Sequence, residues 1–269
     1  MTKLKFFAAL VLAFGFAGNA IAEDAHAVKP PKQLKWTWDG PFGQFDRQQL
    51  QRGYQVYKDV CAACHSMHLV SFRNLSQPGG PEFTEEQMKA IAAGFQIKTL
   101  DDKGEALDDK GEALHRPGIP ADRFPSPFAN ELAARAANNN AYPPDLSVIT
   151  KARPDGSNYV YSLLTGYSDA PAKFELLPGL SYNEYFPNHQ IAMPAPLSAD
   201  DLVTYAPDVG NPPATIDQMA KDVTAFLTWA AEPKMEERKQ MGVKVMIFLV
   251  LLTVLLYAAY RQLWKDVDH

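Results

Sequence analysis

The segment from Cys61 to His65 carries the residue types best suited to chemistry in this chain. It reads Cys-Ala-Ala-Cys-His, and its two cysteines are the only ones in the sequence. This spacing is typical of covalent haem attachment, in which the two thiols add to the porphyrin vinyl groups and the imidazole ligates the iron. Positions i, i+3 and i+4 of a helix share a face, so a helix here would point Cys61, Cys64 and His65 the same way.

A redox-active dithiol and half of a zinc site are the alternative interpretations of this motif. A dithiol pair does not require the adjacent histidine. A zinc site needs further ligands at metal spacing, and the sequence has no second cysteine pair. The motif therefore predicts one covalently attached haem c, with His65 as a ligand of its iron.

The N-terminal segment has the features of a secretory signal. Two lysines precede an apolar run, 6–17, that is too short to span a bilayer, and Ala20-Ile21-Ala22 matches a cleavage site. A signal peptide over 1–22 predicts export of the remaining chain; an uncleaved N-terminal anchor is the alternative. Removing the two signal lysines leaves 24 Lys and Arg against 31 Asp and Glu. Such an acidic chain argues against nucleic acid as a partner.

Helical patterns outline a haem domain over 23–233. Apolar residues recur at helical spacing from Leu50 to Cys64, which places the haem motif at the end of an amphipathic helix. Gly53 would allow close crossing by a later helix, predicted to begin near Thr215 and to end before Pro233. The predicted starts of two helices carry capping boxes, Thr84 with Gln87 and Thr215 with Gln218. A short Ala-rich helix is predicted over 130–137.

The C-terminal stretch predicts one membrane anchor. A charged juxtamembrane segment, 234–241, leads into 19 mostly apolar residues, 242–260. As a helix rising ~1.5 Å per residue, this segment nearly matches a bilayer core of ~30 Å. Aromatic and basic residues at its end favour a membrane interface. Export directed by the signal peptide would place the tail 261–269 in the cytoplasm. A buried helix of a soluble protein is the alternative.

Met193 is the favoured candidate for the second axial ligand of the iron. It stands in Ala-Met-Pro-Ala-Pro, an irregular loop whose prolines would stiffen it. Met67 follows His65 too closely to reach the opposite haem face, and the other methionines of the exported chain lie on predicted helices. A thioether favours reduced iron and raises the potential, whereas the rival His189 would give a bis-histidine haem of lower potential.

Four further residues are candidates for contacts with the porphyrin. Haem propionates need a cation or hydroxyl partner when they are buried, which Arg153 and Tyr159 could supply. Pro143 and Pro144 are rigid and apolar and could press against the ring edge. An ordinary surface arginine, a core tyrosine and a simple Pro-Pro turn are the alternatives.

A heptad, Asp-Asp-Lys-Gly-Glu-Ala-Leu, occurs twice in succession, at 101–107 and 108–114. Two copies are too few for a solenoid. The repeat concentrates six carboxylates against two lysines. It is interpreted either as an acidic surface loop or as a docking patch for a basic protein.

Several separate segments resemble the cytochrome c1 family. They are the haem segment 52–67, the blocks 134–139, 143–147 and 161–167, the methionine segment 185–194 and the helix 221–233. The resemblance implies a mainly α fold: a class I cytochrome c-like haem domain with insertions, plus one C-terminal transmembrane helix. It also assigns Met193 to the iron and supports Arg153, Tyr159 and Asn138 near the propionates. The duplicated heptad departs from some bacterial members, as does the absence of an extra cysteine pair.

The resemblance also implies a function as the haem subunit of the ubiquinol–cytochrome c reductase (cytochrome bc1) complex. The chain, not an enzyme by itself, would pass single electrons from a Rieske iron–sulfur protein to a soluble periplasmic cytochrome c, beside a cytochrome b subunit. The haem domain would lie on the periplasmic side of the inner (plasma) membrane. An anchored donor to another oxidase or reductase and a haem gas sensor are the alternatives. A strong sixth ligand at Met193 would close the iron to gases.

Overall fold

The computed structural model describes residues 28–267, apart from Asp102 and Asp109. The predicted signal peptide lies outside the described residues. The fold is mainly helical, as predicted. The helices are α1 (Arg47–Val56), α2 (Glu85–Ala93), α3 (Glu131–Ala137), α4 (Gly156–Leu164), α5 (Ile216–Ala231) and α6 (Met235–Leu263). Two short antiparallel pairs are formed by β1 (Gln96–Lys98) with β2 (His115–Pro117) and by β3 (Ser181–Tyr182) with β4 (Gln190–Ile191).

Helices α1 and α5 cross at the centre of the domain, and Gly53 lets them touch. A Cβ at position 53 would lie 2.0 Å from the Asp222 carbonyl oxygen and 2.8 Å from Phe226 Cβ. Beside this contact, buried Arg52 donates from Nε to Asp222 Oδ2 at 2.8 Å and from Nη1 to the Val209 carbonyl at 2.6 Å. The close crossing predicted from Gly53 is confirmed.

The helix starts follow the capping signals, with one correction. Thr84 and Gln87 form a reciprocal capping box at α2, with distances of 3.1 and 2.9 Å. At α5, Thr215 accepts a hydrogen bond from the Gln218 backbone, as predicted. The side chain of Gln218, however, donates to Asp222 at 2.8 Å instead of returning to the cap. The Asp222 carboxylate already receives Arg52, so it draws the amide away from the helix end.

An aromatic cluster fills the space around the α1–α5 crossing. Tyr54 and Tyr57 pack against Phe226 with ring centroids 5.7 Å apart in each case, and Tyr57 also meets Phe124 edge-on. Residues 28–45 precede α1 and run along the domain, but Trp38 and Phe45 of this segment are buried in the core. There Trp36 stacks on Trp38 and the Lys32 backbone donates to Ser162 of α4. This packing holds the haem motif against α5.

Helix α6 continues without a break through the predicted juxtamembrane segment and the predicted span. Its most apolar 18-residue window has a mean hydropathy of 2.4, and none of that window is buried. By length and composition, α6 can cross a membrane. Its first two residues belong to the domain instead, because Met235 and Glu236 are buried. The packed domain therefore extends past the boundary predicted at Pro233.

Candidate functional site

The haem motif begins where α1 unwinds. A π-helical turn, Tyr57–Cys61, follows the helix, and the Cys61 carbonyl then accepts from the backbone of Cys64 at 3.1 Å and of His65 at 2.9 Å. The motif thus occupies a tight turn rather than the regular helix end predicted from sequence. The bond from Cys64 spans three residues and the bond from His65 spans four, so this turn keeps helical hydrogen bonding.

The two cysteines are free and differ in environment. Cys61 is half-buried and Cys64 is exposed. Burial raises the pKa of the Cys61 thiol to about 12, and nearby Cys64 adds to the rise. A redox dithiol works through a thiolate of lowered pKa. The raised pKa therefore argues against that interpretation and fits a pair of neutral thiols available for thioether bonds.

His65 is oriented by a carbonyl distant in sequence. Its Nδ1 lies 2.8 Å from the Pro144 oxygen. Burial lowers the pKa of the His65 imidazole, against opposing effects of the Pro144 carbonyl and Asp145, so the ring is neutral at pH 7. When Nδ1–H donates to the carbonyl, the lone pair of Nε2 remains for a metal. Histidines that ligate metals usually make such a second hydrogen bond, so this residue fits a haem iron.

The two prolines act differently from each other. Pro143 is half-buried and lines a cleft with Cys64 and with Ala134 of α3. Pro144 is exposed and contributes its carbonyl to His65. The cleft brings Pro143 to the second attachment cysteine, where a porphyrin edge would lie. The carbonyl of Pro144 has a role that its sequence pattern did not predict, and packing of its ring against the porphyrin stays a prediction.

Of the three predicted propionate contacts, two lie together. Arg153 lies close to Tyr159: burial raises the pKa of the tyrosine, and the nearby guanidinium works against that rise. Asn138 instead caps α3, because its Nδ2 donates to the Ala134 carbonyl at 2.7 Å. One N–H group of the Asn138 amide is therefore hydrogen-bonded within its own helix.

Met193 lies in a different environment from the other described methionines. Met67, Met88, Met219 and Met235 are buried in the hydrophobic core, and Met241 and Met246 are exposed on α6. Met193 is half-buried in an irregular loop, and Tyr167 Oη donates to its carbonyl at 3.1 Å. Tyr167 thus ties the backbone of the loop that carries Met193 to the segment that follows α4.

His189, the rival ligand, is enclosed in its own pocket. Its ring stacks on Tyr182 with centroids 5.3 Å apart, and its Nδ1 lies 3.2 Å from the Asn183 carbonyl oxygen. Only 3% of the residue is exposed. Within the described residues its buried Nε2 has no hydrogen-bond partner. His189 and Met193 therefore share a loop, with the histidine turned to the β3–β4 side.

Sequence reasoning missed the positions of Tyr167 and Asp145. Tyr167 was noted only as part of a resembling block, and nothing in its spacing pointed to the Met193 backbone. Asp145 follows two prolines, a pattern typical of a turn that the aspartate stabilises. Its carboxylate accepts from the His68 backbone at 2.8 Å, three residues beyond His65. The turn pattern was visible in the sequence, but its partner was not.

The fold and the site together define a membrane-anchored c-type cytochrome with a single covalent haem. Comparison with known proteins identifies the family within this class. The Cytochrome C1 family model matches residues 36–267. The chain is 46% identical to "Cytochrome c1" of Rhodospirillum rubrum, with 97% of this chain and 96% of that protein covered. It is 45% identical to "Cytochrome b-c1 complex catalytic subunit, mitochondrial" of Candida albicans, with 93% and 83% covered. It is also 46% identical to "Cytochrome b/c1" of Bradyrhizobium diazoefficiens, with 88% and 36% covered.

The chain belongs to the cytochrome c1 family. It accordingly carries one covalently bound haem c, which confirms the interpretation of the Cys61–His65 motif as a haem-attachment sequence. It is an electron-transfer haem subunit of the cytochrome bc1 complex, a quinol–cytochrome c oxidoreductase. The implied fold, mainly helical with a long apolar C-terminal helix, is confirmed as well.

Proposed function

We propose that this subunit takes single electrons from a Rieske iron–sulfur protein and passes them to a soluble periplasmic cytochrome c. A cytochrome b subunit would be its neighbour in the inner membrane, with the haem domain on the periplasmic side. The observation that carries the proposal is the His65–Pro144 hydrogen bond. It leaves His65 Nε2 available as an iron ligand, next to the two cysteines of the attachment motif.

The haem, when bound, supplies a one-electron iron couple. The residues of this chain determine how the haem is attached and which side chains ligate its iron. Cys61 and Cys64 would form the thioether bonds, and His65 Nε2 would be one axial ligand. Met193 Sδ would be the other, since it is the half-buried methionine among the described ones and its loop is tied to Tyr167. A thioether opposite an imidazole favours the reduced state relative to a second imidazole.

The same arrangement provides for the charged edge of the porphyrin. Arg153 and Tyr159 lie together and would offer a cation and a hydroxyl to the propionates. Pro143 would pack beside the attachment cysteine. Asn138 gives one N–H of its amide to the Ala134 carbonyl; the second N–H of that amide could donate to a propionate.

A gas sensor is the alternative from another functional class. It needs an exchangeable sixth position, whereas Met193 would fill that position. The test is reduction of the purified complex followed by exposure to carbon monoxide. We expect the spectrum of this haem to stay unchanged, and rapid electron transfer to a soluble c-type cytochrome to continue. Rapid formation of a carbon monoxide adduct at this haem would overturn the electron-carrier assignment.

A further inference from the structure

We propose that Asp145 is a positioning residue for the axial imidazole of His65. This inference rests on the proposed function in one respect, since it takes His65 as an iron ligand. The link between the two residues is the Pro144 carbonyl, 2.8 Å from His65 Nδ1. That carbonyl and the Asp145 nitrogen belong to one planar peptide unit. Whatever fixes Asp145 therefore also aims the acceptor that sets the orientation of the imidazole.

The Asp145 carboxylate is held by the segment that follows the haem motif. Its Oδ2 accepts from Ser66 Oγ at 2.9 Å and from the His68 backbone at 2.8 Å, and it lies 2.7 Å from His68 Nδ1. Its Oδ1 accepts from the Ser147 backbone at 2.8 Å. One side chain thus joins the residues directly after His65 to the residues directly after Pro144.

Backbone contacts keep the same two segments together independently of the carboxylate. The Leu146 nitrogen donates to the Ser66 carbonyl at 2.9 Å, and the Leu69 nitrogen donates to Ser147 Oγ at 3.0 Å. Ser66 and Ser147 are both buried. A variant that loses only the Asp145 charge should therefore fold, with the Pro144 carbonyl less firmly aimed.

The charge of Asp145 also reaches the imidazole directly. Burial opposes ionisation of this half-buried carboxyl, but hydrogen bonds from Ser147, His68 and Ser66 together hold its pKa below the usual range. The resulting negative charge lies on the residue directly after the Pro144 carbonyl that accepts from His65 Nδ1. A negative charge near the Nδ1–H bond makes a ligating imidazole a stronger electron donor and stabilises ferric iron.

The test compares Asp145→Asn with Asp217→Asn in the haem-loaded, membrane-anchored chain within its complex. Asparagine keeps the shape of the side chain and one acceptor oxygen. Asp217 is a matched control on α5, where it is bonded to Tyr161 and Lys221. We expect Asp145→Asn to raise the midpoint potential and shift the ferric g-values, with a change in potential several-fold larger than in the control. Ser66→Ala, which removes one anchor but keeps the charge, should shift the same signals less.

The outcomes separate positioning from a merely structural role. If Asp145→Asn and Ser66→Ala only lower the melting temperature and leave potential and g-values as in Asp217→Asn, the positioning role is overturned. If Asp145→Asn does not assemble, Ser66→Ala alone decides in the same way. His65→Ala tests the underlying assignment: loss of the low-spin spectrum or of attached haem supports it. A retained low-spin spectrum there would overturn the ligand assignment itself.

Discussion

Arg47 at the start of α1 and Glu236 in the first turn of α6 form a two-point ion pair. Nη1 lies 2.8 Å from Oε1, and Nη2 lies 2.7 Å from Oε2. The Phe45 backbone nitrogen donates to the same carboxylate at 2.8 Å. Because α6 also contains the candidate membrane span, this pair joins the haem domain to its anchor. These contacts hold the first turn of α6 against the start of α1.

This ion pair determines where the chain can be truncated to give a stable soluble haem domain. A chain ending at Pro233, the boundary predicted from sequence, loses buried Met235 and the partner of Arg47. Burial of a methionine contributes about 1.5–3 kcal/mol. We expect a chain ending at Gln240 to unfold at clearly higher denaturant concentration than one ending at Pro233, as measured by urea titration of the haem-loaded proteins.

A control identifies the cause of that difference. Glu236→Gln in the longer chain removes the charge of the pair but keeps Met235. It should fall between the two truncated proteins in stability. Equal unfolding midpoints for the two lengths would show that the domain ends at Pro233 after all. A longer chain that stays in the membrane fraction would show that α6 is not the main anchor.

Gly53→Ala is expected to disrupt the central helix crossing. The added methyl would lie 2.0 Å from the Asp222 carbonyl oxygen, a backbone atom that cannot move away alone. Overpacking of a core costs about 1–3 kcal/mol or more. Thermal unfolding of the haem-loaded protein checks this loss. Gly242→Ala is the matched control, since nothing lies within 4 Å of a Cβ there, and equal destabilisation by both would contradict the steric argument.

Met193→Leu is expected to remove the thioether ligand while keeping the volume of the side chain. Axial ligands span ≈ 0.8 V of haem potential, so a fall of roughly a few hundred millivolts is expected, with loss of the sulfur–iron charge-transfer band. Redox titration and near-infrared spectra measure both. Met88→Leu, in the core near α2, should change neither. An unchanged spectrum in Met193→Leu would falsify the assignment and return attention to His189.

The Arg116–Asp122 pair makes one contribution to stability depend on pH. Two hydrogen bonds from Arg116 hold the pKa of Asp122 below its usual value, against a smaller opposing effect of burial. A carboxyl with a depressed folded pKa stabilises the protein above its unfolded pKa, ≈ 3.9, and loses that effect as pH falls through the folded pKa. The pair is largely solvent-screened, so its contribution to the free energy of unfolding is expected to be small.

Asp122→Asn isolates this effect. The difference in unfolding free energy between wild type and variant should be constant at neutral pH and shrink below about pH 4. Urea titrations at several pH values measure it. Asp39→Asn provides a control at an exposed carboxylate that accepts only from the Trp36 backbone. A difference between wild type and Asp122→Asn that stays constant down to pH 2 would contradict the ion-pair argument.

The duplicated acidic heptad is predicted to have a modest docking role. Each copy forms the same exposed turn: Asp101 accepts from the backbones of Lys103 and Glu105, and Asp108 does so from Lys110 and Glu112. Deleting 108–114 preserves the local sequence, because Leu107 then precedes His115 as Leu114 does now. Haem, potential and assembly should be unaffected. Reduction of a basic acceptor should slow at low salt, since exposed charges act on association rate and are screened by salt.

Stopped-flow electron transfer at several ionic strengths decides this point. A variant with the three carboxylates of the second copy changed to amides separates charge from loop length. If charge matters, the amide variant should match the deletion, and both should approach wild type as salt rises. Identical rates for all three proteins at every ionic strength would leave the repeat as a surface loop.

Sequence was sufficient wherever the determining interaction is local. The Cys61–His65 spacing specifies covalent haem chemistry because thioether bonds and ligation depend on neighbours in the chain. The Thr84 cap is predictable because its partner is three residues away. The apolar length of 242–260 identifies an anchor because bilayer thickness sets it. These features need no knowledge of how distant segments meet.

Only the tertiary structure decided how His65 is oriented. The acceptor at Pro144 and the carboxylate at Asp145 lie 79 and 80 positions further along the chain, and no periodicity links them to the haem motif. The end of the packed domain at Glu236 likewise depends on a distant partner, because Glu236 is paired with Arg47, 189 residues away. A carbonyl direction or a buried ion pair depends on the packed positions of both partners, which arise only when the whole chain has folded.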